Sequence, residues 1–153
     1  FKVKSLTENI QDLTEVQIEG ASLEFENFWP LKEESKTLEF KVIICAVDSL
    51  KTRQRIWKSL KENTEWECFI DARMGGEVLR IFVVNPLFKP SMEKYEKSLN
   101  TKAKEHEEPC TGRSVVYNTQ MAGGLMGNIV KKYAKHEDTK MSFTMDITQQ
   151  EIV

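Results

Sequence analysis

The stretch Phe40-Lys41-Val42-Ile43-Ile44-Cys45-Ala46-Val47-Asp48-Ser49 is a near-continuous β-rich apolar run that stops at a carboxylate. A run of this composition belongs in a sheet covered on both faces. Ser49 is a capping residue, and Leu50, Arg53, Ile56, Trp57 and Leu60 follow at helical spacing. The order strand, aspartate, helix puts Asp48 at the carboxyl edge of the sheet, where open α/β sheets hold their ligands.

Working outward, Trp66-Glu67-Cys68-Phe69-Ile70 reads as a second strand and Glu77 to Val84 as a third. Ala72-Arg73-Met74-Gly75-Gly76 joins them, and Asn85-Pro86 ends the third. Upstream, Val3, Leu6, Ile10 and Leu13 share one face of a short helix. Val16-Gln17-Ile18 alternates as a strand would, and Phe25 to Phe40 reads as a loop with a helical turn. Downstream, Lys89 to Glu108 is mixed in charge and reads as a flexible crossover, partly helical. Pro109-Cys110-Thr111-Gly112 then leads into a buried helix from about Ser114 to Tyr133, and Met141 to Ile147 alternates again to close the sheet or form an edge. The expected architecture is a single α/β domain over residues 1–153, with its crossover at about 89–109.

The 153 residues suffice for one domain with a core, and 22 basic against 24 acidic side chains give a formal charge of −2. That balance offers no electrostatic case for nucleic acid or an anionic membrane as partner. The 7 glycines nowhere form G-x-G-x-x-G or G-x-x-x-x-G-K-[ST], so no phosphate-cradling loop is present in these residues. Three cysteines without regular spacing point to a reducing compartment, which we read as cytoplasmic, and the lack of a C-x-x-C pair argues against a zinc site. His106 and His136 lie among charged residues and read as solvated surface. The uncharged stretch from Ser114 to Val130 is too short and too polar to span a bilayer.

Two positions could carry chemistry. Asp48 is either a helix cap, worth about 1 kcal/mol, or a hard-oxygen ligand for a nucleotide-bound magnesium ion. Arg53, five residues on, either pairs with a carboxylate or is solvated. Cys110, next to Pro109 and near a helix start, would feel the positive end of that helix, which lowers a thiol's pKa. Cys45 and Cys68 lie inside apolar strands and read as inert. Gly123-Gly124-Leu125-Met126-Gly127 sits in a helical pattern rather than between strand and helix. Its small residues read as a surface for close packing on the sheet or on another helix.

Taken together, Val42 to Arg53, the hairpin Ile70-Asp71-Ala72-Arg73-Met74-Gly75-Gly76-Glu77 running on to Asn85-Pro86, and Pro109-Cys110-Thr111 with its small-residue helix resemble the ThiF/MoeB/HesA family of ubiquitin-activating-type adenylating enzymes. The opening Phe1-Lys2-Val3-Lys4-Ser5-Leu6 is similar to the lysine-led helix of that family. The resemblance implies a Rossmann-like three-layer sheet, with Asp48 binding magnesium and ATP, Lys2 contacting ATP phosphates and Arg53 near the nucleotide. It implies that Cys110 forms a thioester with the C-terminus of a ubiquitin-like or sulfur-carrier protein, that Arg73 helps place the carrier's tail, and that the protein is a homodimer or heterodimer.

The family carries a strand with a glycine-rich loop before the lysine-led helix, and these residues hold none, so the expected sheet is incomplete at its N-terminal side. The expected function is ATP-dependent activation of a carrier C-terminus. The alternative is a non-catalytic interaction subunit that partners an active adenylating enzyme.

Overall fold

The computed structural model describes residues 2–18, 20, 42–62, 66–100 and 116–152. The chain divides into two compact units, Phe1–Leu38 and Glu39–Val153. In the first, α1 spans Lys2–Thr14, as the spacing of Val3, Leu6, Ile10 and Leu13 predicts. It ends where Glu15 turns left-handed at φ 58°, its N–H still donating to Gln11 O at 2.9 Å. Val16 to Ile18 are not a strand: the two or three alternating residues pair with no strand among the described residues, and alternation without a ladder does not make one. Gly20 lies against α1, since a Cβ there would come within 2.5 Å of Val3 Cγ1. The expected loop over Phe25 to Phe40 falls outside the described residues.

The second unit holds β1 (Val42–Cys45), α2 (Leu50–Glu62), β2 (Cys68–Gly75), β3 (Val78–Val84), α3 (Lys89–Leu99), α4 (Val116–Ala134), β4 (Ser142–Asp146) and β5 (Glu151–Ile152). The five strands form one sheet in the order β1-β2-β3-β4-β5. β1 runs parallel to β2, with Cys45 opposite Asp71, and every later pair is antiparallel. The protein is thus α/β with a mixed sheet. The expected hairpin is tighter than the sequence reading: Asp71 to Gly75 continue β2, and only Gly76 and Glu77 turn, Gly76 at φ 56° where a side chain would be strained.

Side chains alternate across the sheet, so each face has its own core. One face carries Ile70, Ala72, Leu79 and Ile81, packed against Ala122, Leu125, Met126 and Ile129 of α4. The other carries Phe69 and Phe82, covered by aromatic groups of α2 and α3. Trp57 lies 5.8 Å from Phe69 and 4.7 Å from Tyr95, and Tyr95 lies 5.6 Å from Phe82. Trp66 joins them and donates its indole N–H to Leu60 O at 3.0 Å. Edge-to-face pairs of this kind add about 0.5–1.5 kcal/mol each beyond the area they bury.

Three further expectations change. β1 is not covered on both faces: Ile44 is 50% exposed, because β1 stands at the end of the strand order with β2 as its one neighbour among the described residues. Within the expected crossover, Lys89–Leu99 is a helix docked by buried Ser91, Tyr95 and Leu99, while 101–109 lie outside the described residues. α4 buries one stripe through Asn118 and Ala122 rather than its whole circumference, and a Cβ at Gly123, Gly124 or Gly127 would meet nothing within 4 Å among the described residues. Among the described residues, then, nothing packs closely on those glycines.

Candidate functional site

Asp48 lies in the short connection between β1 and α2, exposed, at the carboxyl end of β1. It does not cap the helix. Ser49 does: its Oγ accepts from Thr52 N–H at 3.3 Å and its carbonyl from Arg53 N–H at 3.0 Å. The Asp48 carboxylate thus has no capping duty and faces solvent beside a helix N-terminus, where negative charge is favoured.

Arg53 points the other way in function. It is 6% exposed, its Nε donates to Asp71 Oδ1 at 2.9 Å and its Nη2 to Ala72 O at 3.1 Å. Of the two readings left open for it, pairing with a carboxylate is the one realised. Arg73 meets the same group, with Nε 2.7 Å from Asp71 Oδ2, and also donates to Ser98 O at 3.3 Å and Ser98 Oγ at 3.0 Å. Its guanidinium lies 4.5 Å over the Phe82 ring and 5.2 Å from Tyr95. Tyr95 OH completes the set by donating to Asp71 Oδ2 at 3.0 Å.

Asp71, fully buried, is therefore the hub of the site, and the motif reading missed it as a functional position. The signal was available: a carboxylate inside Cys68-Phe69-Ile70-Asp71-Ala72 is costly to bury as a charge without hydrogen-bond donors or a cation to meet it. The environment pushes neighbouring acids up. Burial, then the Asp71 charge, raises the Tyr95 hydroxyl well above its ordinary value. Burial, then Asp71, raises the Cys45 thiol to about 11, and burial alone raises Cys68 to about 11. Both buried thiols are protonated at neutral pH and unreactive, as the strand positions suggested.

The structure thus brings Arg53 and Arg73 together on Asp71, with Asp48 one loop away. Lys2 is the first residue of α1, in the other unit, and its side chain lies outside the described residues, as do Cys110 and His106. The amino end of α4, which follows the Cys110 segment in the chain, is tied to the β2–β3 turn: Asn118 Nδ2 donates to Gly76 O at 2.8 Å and Tyr117 OH to Glu77 Oε1 at 2.8 Å. A concavity of about 380 Å³ lined by Glu67, Asn85, Ser91, Tyr133, Asp138 and Met141 lies at the other end of β2, away from Asp48. His136 lines it and is exposed.

Among the described residues no three His, Cys, Asp or Glu side chains gather to hold a metal ion by themselves. A magnesium ion needs only one or two carboxylates when phosphates and water complete its shell, and a single exposed Asp48 fits that demand. No helix among the described residues is long and apolar enough to cross a membrane. No family model matches the chain, and no curated protein matches it.

Proposed function

We propose that the protein takes part in ATP-dependent adenylation of the C-terminus of a ubiquitin-like or sulfur-carrier protein, on a Rossmann-like sheet of the ThiF/MoeB type incomplete at its N-terminal side. The observation that carries the reading is Asp48: a carboxylate at the carboxyl end of a parallel strand, relieved of capping by Ser49 and exposed beside the start of α2. Helices on both faces of a sheet whose β1 and β2 run parallel support the fold part of the reading.

In this reading magnesium-bound ATP supplies the electrophilic α-phosphorus. The carrier's terminal carboxylate oxygen bonds to that phosphorus as the bond to the leaving pyrophosphate breaks, giving an acyl adenylate. Asp48 would hold the magnesium ion, whose charge would offset that of the phosphates. The Cys110 thiolate then attacks the acyl carbon, forming a thioester and releasing AMP. Arg73, bonded to Asp71 and Ser98, keeps the hairpin in place and helps to place the carrier's tail. The partners are the carrier and a second subunit, in a homodimer or heterodimer.

In the full-length protein, Asp48→Asn is expected to lower ATP–pyrophosphate exchange at least about a hundredfold, the scale for loss of an electrostatic group in an active site, with the melting temperature unchanged. Retained exchange sinks the assignment. Cys110→Ala is expected to keep exchange and lose any adduct with the carrier that a reductant cleaves. A second reading, a non-catalytic subunit that partners an active adenylating enzyme, is favoured by the commitment of Arg53 and Arg73 to Asp71. Absence of exchange in the unaltered protein, with retained binding to such a partner, would select it.

A further inference from the structure

We infer that Asp71 is a positioning residue for Asp48, holding both ends of the loop that carries it; the significance of this for catalysis rests on the reading of Asp48 above. The loop is residues 46–49, between the end of β1 at Cys45 and the start of α2 at Leu50. At its near end Cys45 is the ladder partner of Asp71, and both residues are buried. At its far end Arg53 ties α2 to β2 through Asp71 Oδ1 and Ala72 O. The Arg53 N–H in turn holds Ser49 O at 3.0 Å, one residue beyond Asp48.

A four-residue loop referred at both ends to one buried residue, by strand pairing at Cys45 and by the Asp71 carboxylate at Arg53, has little freedom in its middle. The second Asp71 oxygen keeps that carboxylate from turning, because Arg73 at 2.7 Å and Tyr95 at 3.0 Å brace it against the hairpin and against α3. Arg73 is braced in turn by Ser98 near the end of α3. The cluster has two cations and one anion, and the Arg53 contacts are the ones that bear on where α2 begins. Groups that orient a metal-binding carboxylate in this way typically matter about 10–100-fold in metal affinity.

The test is amide hydrogen exchange read by mass spectrometry, alongside the magnesium dependence of ATP–pyrophosphate exchange, in the full-length protein. Arg53→Lys keeps the charge but cannot span both Asp71 and Ala72 with one ammonium group. Asp71→Asn keeps the shape and removes the charge. Tyr95→Phe removes only the α3 brace. Leu79→Ala, in the core of the opposite sheet face, matches a general loss of stability.

Arg53→Lys and Asp71→Asn are expected to speed exchange across residues 47–53 about tenfold or more beyond the Leu79→Ala protein, as loss of a charged hydrogen bond implies. Tyr95→Phe is expected to speed it in α3 and leave 47–53 unchanged. Arg53→Lys should also raise the magnesium concentration for half-maximal ATP–pyrophosphate exchange about tenfold, with Leu79→Ala leaving it alone.

An Arg53→Lys protein whose residues 47–53 exchange no faster than those of the Leu79→Ala protein overturns the inference, whatever happens to activity. If Asp71→Asn does not fold, Arg53→Lys decides alone. A local rise with an unchanged magnesium requirement upholds the clamp and removes Asp48 as the metal ligand. If the unaltered protein catalyses no ATP–pyrophosphate exchange, the functional reading falls and amide exchange still decides the clamp.

Discussion

Arg73 shows how much a single side chain can carry. It bonds Asp71 and Ser98 and stacks over Phe82, so its truncation removes a charged hydrogen bond, two backbone or hydroxyl contacts and apolar cover at once. We expect Arg73→Ala to cost about 3 kcal/mol, the scale for breaking a partly buried pair, measured by urea unfolding. Arg73→Lys should recover less than half, because an ammonium group has neither the fork nor the planar face. The charge of Asp71 was visible in the strand sequence, but its three donors come from α2, β2 and α3. They lie 18, 2 and 24 residues away in the chain, a convergence no local pattern encodes.

At the scale of elements, helix ends and turns separate residues that look alike in sequence. Ser49 caps α2, so Ser49→Ala should cost about 1 kcal/mol, whereas Asp48→Ala should cost far less in thermal melts. Gly76 turns the hairpin at φ 56°, and Gly76→Ala should destabilise by about 1 kcal/mol or more. Gly124 lies in mid-helix with open space around it, so Gly124→Ala should stabilise by about 0.5–1 kcal/mol by the same measurement. The opposite outcome would mean that this face of α4 is covered in solution. In sequence, Gly123, Gly124 and Gly127 resemble a packing stripe because small residues permit close approach, and only the placement of neighbours says whether anything approaches.

At the scale of the whole molecule, titration reports on packing. Cys45 and Cys68 are 4% and 5% exposed, with thiols raised to about 11 from an ordinary 9.0. The folded state holds these protons more tightly than the unfolded chain. Their contribution is therefore complete below about pH 9 and is lost as pH rises through about 11, on the order of 2–3 kcal/mol for each thiol. The melting temperature should fall across that window, and Cys45→Ala with Cys68→Ala should flatten the fall.

In acid the sign reverses. The Lys61 ammonium, with a smaller share from the Trp57 indole, holds Glu96 below the usual carboxylate range. The α2–α3 contact made by Glu96 is therefore present above the unfolded carboxylate pKa and weakens as pH falls through the folded one. Glu96→Gln should remove that part of the acid dependence.

The sequence by itself determined the α/β class, the position of Asp48 between a strand and a helix, the hairpin and its glycine turn, and the inertness of Cys45 and Cys68. These follow from local rules: period, propensity, capping and the stop of an apolar run act within a few residues. Only the tertiary structure decided that β1 lies at the end of the strand order, that Lys89–Leu99 is a docked helix, and that Arg53 and Arg73 converge on Asp71. Each of these depends on which distant groups share a face or a cavity. Burial leaves a charge no alternative but to find its partners across the fold.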